Sequence, residues 1–320
     1  MRFVLYGTFV PVDQLVEVAC LAEQLGFDGI TIPDHVIYPA RYDSPYPYAA
    51  GGRAAAPAHA AGRDGRRAPW DEELDWPDPL VVAGAIAART TRLRVITGIY
   101  VLALRDPLLV AKSLATIDAL APGRIVLGVG AGWLAEEFTA LGRDFRSRGS
   151  RTDEMIDVLR RVLSGERVAH DGEHFSFEEL SMRPVPRALP PIVIGGDSAP
   201  AVRRAALRGD GLLPPLSSGP RTRELRDELA RQRAEAGREG PFELIAAAPR
   251  ARDAEAIAGL AELGVGSLHV DPFALYVRSN GGLSPTERRS ALERYAREVV
   301  WPYREATRRP QPAASPAAQR

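Results

Sequence analysis

The sequence predicts one (β/α)8 barrel with insertions after its second and fourth strands. Helical segments alternate with short, β-branched apolar runs along most of the chain, and eight such runs can be counted. A length of 320 residues allows either two ordinary domains or one barrel with insertions, so the repeating pattern decides for the barrel. The runs lack the polar–apolar alternation of a sheet with one wet face, as expected when both faces are covered. Helices of about a dozen residues between them point to right-handed βαβ units and a parallel sheet.

The expected strands are Phe3 to Thr8, Asp28 to Ile32, Leu93 to Gly98, Ile125 to Gly130, Ile192 to Gly195, Gly211 to Pro214, Phe242 to Ala247 and Ser267 to Val270. Two helix–strand units repeat almost word for word, "DPLVVAGAIAARTTRLRVITG" from Asp78 and "DPLLVAKSLATIDALAPGRIVLGVG" from Asp106. In each, the aspartate is placed to cap orphan N–H groups, and Pro79 or Pro107 takes the first helical position, where a missing N–H costs nothing. After the fifth strand, Asp197 or Ser198 caps a helix with Pro200 in its first turn.

Residues 37–77, rich in Ala, Gly, Pro, Tyr and Arg, form a long lid-like loop after the second strand, on the face where barrels place active sites. Residues 149–190 form the other insertion, with a helix from about Thr152 to Leu163 followed by a hairpin turning at Asp171-Gly172. Residues 1–305 are expected to make a single domain, with 306–320 a disordered tail.

Composition narrows the function classes. Forty-one basic residues balance 41 acidic ones, so no net field favours nucleic acid or an anionic membrane, and a small molecule is the expected partner. Cys20 is the only cysteine, which rules out a disulfide framework or thiolate metal site and fits a reducing cytoplasm. The N-terminal apolar run is too short for a signal peptide, and no stretch reaches the roughly 18 apolar residues of a membrane span. Lys112, the only lysine, falls within a helix and not at a strand end, which argues against Schiff-base chemistry.

The candidate site residues sit at strand ends. "GITIPDHV" closes a buried run with Asp34 and His35, which a barrel points into its mouth; the alternative is a helix-capping aspartate beside a structural histidine. "LGVGAGW" sets Gly130, Ala131 and Gly132 where a strand becomes a helix, letting backbone approach a ligand, although tight packing at a barrel corner reads the same way. It is not a dinucleotide fingerprint, since the spacing is G-x-G-x-G. A strand ending at Gly195 and Gly196 runs into a helix at Ser198, which reads as an anion cradle with Gly196 and Ser198 as phosphate contacts, although an ordinary helix start would look identical. No metal site is expected: across the two-residue hairpin His170 pairs with Glu173 and His174 with Ala169, which sends the imidazoles to opposite faces. His269 reads as a buried, hydrogen-bonded histidine.

These motifs together resemble the bacterial-luciferase-like superfamily of flavin and deazaflavin barrels. The resemblance runs from "LAEQLGFDGITIPDHV" through "TTRLRVITGIYVLALRDPLLVAKSLATIDALAPGRIVLGVGAGWLAEEFTALG" and "RGSRTDEMIDVLRRVLSG" to "PIVIGGDSAPAVRRAALRGDG". It is similar above all to the subgroup that uses coenzyme F420, a deazaflavin. That implies a cofactor site at Asp34, His35, Gly98, Ile99, Gly130, Ala131, Gly132, Gly195, Gly196 and Ser198, with a non-prolyl cis peptide at Gly98-Ile99 supporting the ring. In the similar sugar-phosphate dehydrogenases an acid follows the "GVGxG" run; Trp133 stands there in this chain, so sugar-phosphate oxidation is not expected and Trp133 becomes a wall of the substrate pocket. Glu136 and Glu137, one turn later, read as dipole-favoured surface acids.

The resemblance implies an oxidoreductase moving hydride from reduced coenzyme F420 to an activated double bond, with His35 positioning or protonating the substrate, since an imidazole titrates near neutrality. Alternatives are an FMN-dependent monooxygenase and, from a different class, a non-catalytic binding scaffold. Arg41, Arg250 and Arg278 are the candidates for an acidic cofactor tail. A homodimer is the expectation carried over from similar proteins.

Overall fold

The computed structural model describes residues 1–47, 70, 72–215, 219–277 and 282–308. Eight parallel strands, β1 (Arg2–Tyr6), β2 (Gly29–Ile32), β3 (Arg94–Thr97), β4 (Ile125–Gly130), β5 (Ile192–Gly195), β6 (Gly211–Leu213), β7 (Glu243–Ala247) and β8 (Val265–Val270), pair in chain order. Val95 against Ile125 and Ile96 against Val126 join β3 to β4, and Arg2 against Ser267 joins β1 to β8, so the sheet closes into a barrel. Each strand predicted from the sequence is present, two with the expected bounds and the rest with bounds moved by one or two residues. A further short strand, Tyr100–Val101, pairs with Val129 and Gly130, farther along β4 than the pairing of β3 with Ile125 and Val126.

The alternation of side chains along a strand divides the core into two layers. Phe3, Leu5, Ile30 and Leu127 face outward and are sealed beneath the helices. Val4, Ile96, Val126, Val193, Leu213 and Ile245 face inward and fill the barrel, with Ile99 packed on top of them. Both layers are apolar, which is why the strands read as continuous runs without alternation.

Eleven helices surround the barrel among the described residues: α1 (Val12–Leu25), α2 (Pro79–Arg89), α3 (Pro107–Leu120), α4 (Ala135–Ala140), α5 (Arg148–Val162), α6 (Ala199–Arg208), α7 (Gly219–Glu235), α8 (Ala254–Glu262), α9 (Pro272–Tyr276), α10 (Pro285–Tyr295) and α11 (Trp301–Arg308). The repeated Asp-Pro signal works as read: Asp78 accepts from the N–H groups of Leu80 and Val81, and Asp106 from those of Leu108 and Leu109. Such caps contribute about 1 kcal/mol each. Ser198 caps α6 through the Ala201 N–H.

Two expectations are corrected. The hairpin of strands Val168–Asp171 and Ser176–Leu180 pairs Asp171 with Ser176 and His170 with Phe177, so its turn spans four residues instead of two. Glu154 of α5 is the physical cause: its carboxylate accepts from the backbone N–H groups of His174 and Phe175 and meets His170 Nε2 at 2.9 Å. His174 meets Ser150 of the same helix at 2.7 Å, so both imidazoles lie against α5 and not on opposite faces. The second correction is at the C-terminus, where α11 continues past residue 305 to Arg308. It docks through Trp301 Nε1 donating to Leu25 O and Arg304 pairing with Asp28; the tail from 309 lies outside the described residues. No described helix is long and apolar enough to cross a membrane.

Candidate active site

The loop that follows β3 makes the centre of the site. The Gly98–Ile99 peptide is cis. Ile99 rests on the barrel's inner apolar layer, and its side chain reaches toward the ends of β4 and β5. A Cβ added at Gly130 or at Gly195 would overlap that side chain. These two glycines therefore make room for Ile99, which is a more specific role than letting backbone approach a ligand. Gly196, at φ +105°, holds a left-handed turn that an L side chain rarely adopts.

Two cavities meet at Ile99, Gly195 and Gly196. The first, about 210 Å3, lies over the ends of β1 and β6 to β8 and is walled by Tyr6, Tyr46, Leu213, Pro214, His269 and Asp271. The second is a groove of about 730 Å3 beside α4 to α6, bounded by Gly130, Ala131, Gly132, Trp133, Ser198 and three arginines, Arg146, Arg148 and Arg204. Arg148 donates to Gly132 O and lies 3.8 Å over the Phe145 ring, while Arg204 is held by Asp153 at 2.6 Å. Arg41 and Arg250, proposed for an acidic tail, are exposed and line neither cavity, and Arg278 lies outside the described residues. Arg146, Arg148 and Arg204 are the arginines that line the groove among the described residues.

Asp34 and His35 diverge from a shared strand end. The Asp34 carboxylate, fully buried, accepts from both Nη atoms of Arg105 at 2.6 Å and from the Val101 N–H at 2.8 Å. Burial pushes its pKa up, and the Arg105 guanidinium and the Val101 N–H pull against that. Every oxygen is thus committed to holding the segment after Ile99, which makes Asp34 a positioning residue. His35 turns the other way, into a box of indoles: Trp76 at 4.8 Å edge-on, Trp70 at 5.7 Å and Trp133 at 5.9 Å between ring centroids. Trp133 also meets Tyr46 at 5.3 Å and so links the box to both cavities.

Glu137 is the residue the sequence reading misplaced. It is only 1% exposed; its Oε2 lies 3.2 Å from His35 Nδ1, and its Oε1 accepts from the N–H groups of Val36 and Ile37. A signal was present, because Leu134, Glu137 and Phe138 share one face of α4 and both apolar partners are buried, whereas Glu136 falls beside that face. Glu136 in turn accepts from the Asp43 N–H, the Ser44 N–H and the Ser44 hydroxyl. Burial works to raise the Glu136 carboxyl, but the Ser44 and Asp43 hydrogen bonds outweigh it and hold it below the ordinary value. The two acids are anchors that fasten the loop after β2 onto α4.

His269 combines burial with a place on the cavity wall. Its Nε2 lies 2.8 Å from Thr31 Oγ1, its ring packs 4.7 Å from that of Tyr6, and burial lowers its pKa to about 3. An unfolded histidine near 6.5 takes up a proton that the folded one refuses, so stability falls as pH drops from 6.5 towards about 3. Integrated over that window the loss is at most about 5 kcal/mol. Glu243, held down to about 2 by Arg94 and Ser267 against its burial, loses its contribution only below 4.5. Urea unfolding between pH 6.5 and 4.5 should therefore show a steep acid slope that H269Q flattens; an unchanged slope would place the titration elsewhere.

Among the described residues no cluster of three or more His, Cys, Asp and Glu is placed to hold a metal ion. The profile of the family described as luciferase-like monooxygenase matches residues 4–318. An uncharacterised protein of Mycobacterium tuberculosis is 33% identical over 244 residues, 76% of this chain and 80% of that one. An F420-dependent glucose-6-phosphate dehydrogenase of Segniliparus rotundus is 29% identical over 204 residues, 62% of this chain and 52% of its own length. The crystal structure of monooxygenase RslO1 from Streptomyces bottropensis superposes with a TM-score of 0.68 at 19% identity, covering 95% of this chain and all of that one.

Proposed function

The chain belongs to the luciferase-like monooxygenase family, and from that footing we propose that it is an oxidoreductase using deazaflavin coenzyme F420 to reduce an activated double bond of a small organic substrate. The observation that carries this reading is the junction at Ile99: an apolar backstop between a small chamber and a long groove lined by guanidinium groups. A flat ring over Ile99 with an acidic tail along Arg146 and Arg148 matches that division. Three arginines and about 730 Å3 exceed what one phosphate needs, which favours the deazaflavin tail over that of FMN. Similarity to the F420-dependent dehydrogenases supports the same choice, while Trp133 in place of their acid turns the reading away from sugar phosphates.

The bound deazaflavin would supply the hydride. The chain's own residues would do the rest. Glu137 accepts the Nδ1–H of His35, leaving Nε2 as the nitrogen that holds or delivers a proton. Trp70, Trp76 and Trp133 shield that imidazole from water, and Asp34 with Arg105 fixes the segment on which the ring would rest.

Anaerobic titration of the protein with F420 and with FMN, followed by ring absorbance, tests the proposal. Saturable F420 binding at the lower concentration is expected. Tighter FMN binding with oxygen uptake after reduction would transfer the protein to the monooxygenases, and failure to bind either would leave a scaffold without redox chemistry.

A further inference from the structure

We propose that the chamber over β6 to β8 is the substrate subsite, and that it selects an uncharged, largely apolar molecule bearing one hydrogen-bonding oxygen, which it seats on Nδ1 of His269. This deepens the oxidoreductase reading above and rests on it for the chemistry that follows binding.

The first argument is the wall. Tyr6, Tyr46, Leu213, Pro214, Pro215, Ala247 and Pro249 offer ring faces and aliphatic surface, and no lysine or arginine among the described residues lines the chamber. Asp271 is the charged wall residue, and its carboxylate is turned to the Ala274 N–H as the cap of α9. An anionic substrate would thus leave water for a site with no counter-charge among the described residues and a carboxylate at its edge, which costs several kcal/mol. All three groove arginines lie on the other side of Ile99.

The second argument is His269. Its side chain is more than nine-tenths buried, Thr31 occupies Nε2, and Nδ1 has no protein partner among the described residues although the ring lines the chamber. Buried polar atoms are nearly always paired, so an open one on a cavity wall marks where a ligand atom belongs. The imidazole stays neutral under working conditions. Thr31 has one hydroxyl hydrogen and lies 2.8 Å from Nε2 against 3.4 Å from Leu5 O, so the shorter contact takes it; Nδ1 then carries the ring hydrogen and is a donor for a carbonyl or hydroxyl oxygen. The two histidines differ in setting: His35 stands at the end of β2 among the indoles of Trp70, Trp76 and Trp133, whereas His269 faces the chamber from β8.

A matched pair of probes tests the idea. 2-Cyclohexen-1-one and the carboxylate of 3-oxocyclohex-1-ene-carboxylic acid differ by one charge, and tryptophan fluorescence reports binding to the full chain with and without saturating F420. The neutral ketone should bind at least tenfold tighter than the carboxylate, and H269F, which keeps the bulk without the donor, should weaken the ketone about tenfold while H269Q restores part of it. The 15N resonance of His269 Nδ1 should move when the ketone binds wild-type protein, a readout that needs no variant. Equal or tighter binding of the carboxylate, a silent Nδ1 resonance, or displacement of the ketone by F420 would overturn the assignment; the last would give His269 to the cofactor. Ketone binding in a protein that takes up no flavin would sink the oxidoreductase reading and leave the subsite standing.

Discussion

Replacing Asp34 with alanine should lower the unfolding free energy by about 3 to 5 kcal/mol, the usual result of stripping one partner from a buried ion pair. Asp34 has no exposed side-chain surface, and Arg105 keeps only 15% of its own. The guanidinium would lose both of its 2.6 Å hydrogen bonds and remain against the Tyr100 ring at 4.2 Å with no paired carboxylate, keeping the Val101 carbonyl at 3.3 Å. The Val101 N–H would lose its acceptor as well, at about 1 to 3 kcal/mol if no water replaces it. Asparagine keeps the acceptor for Val101 but not the charge, so D34N should fall between wild type and alanine. The informative case is the double variant D34A/R105L. If the loss comes from an orphaned charge, removing the charge should recover a large part of it, since well-packed apolar groups often match a buried pair. Urea midpoints at a constant m-value measure wild type, D34A, D34N, R105L and the double variant. A double variant as unstable as the sum of its singles would mean that packing and not charge sets the cost.

The ease with which each part was read from sequence follows the range of the interaction that creates it. Asp78 and Asp106 cap groups two and three residues away, and the β-branched runs announce strands buried on both sides, so caps, strands and barrel were legible locally. Gly130 and Gly195 were legible as special positions, but their shared reason is the Ile99 side chain, far from both in sequence. Glu137 looked like a first-turn acid favoured by the helix dipole, and only the fold brings it against His35, 102 residues earlier. His269 and Thr31 are 238 residues apart and meet because the barrel closes β8 onto β1 beside β2. The hairpin turn was misjudged for the same reason, since Glu154 of α5 overrides the local Asp-Gly preference. The arginines of the groove carry no local mark among so many others, and position in the fold alone selects them.

His35→Ala should reduce turnover by about 100-fold to 10,000-fold if the imidazole moves a proton in the slow step. Glu137→Gln is the sharper experiment because it keeps the shape. Its single amide oxygen would stay with the Val36 and Ile37 N–H groups that Oε1 now serves, which turns the NH2 towards His35 Nδ1. Two donors cannot face each other, so the imidazole would have to keep its single hydrogen on Nε2 and accept at Nδ1; the doubly protonated ring that delivers a proton from Nε2, and the Nδ1–H ring it leaves behind, would both set a donor against the amide NH2. A reversed tautomer at a proton-delivering His35 should change the pH–rate profile of turnover, whereas a merely structural Glu137 would change the melting temperature and leave the shape of that profile alone. Turnover should fall by about 10-fold or more in E137Q, with cofactor affinity changed far less, because the loop anchor survives. If E137Q and H35A each retained wild-type turnover and profile, the proton would have to come from solvent, and the indole box would be left with no task beyond shaping the substrate.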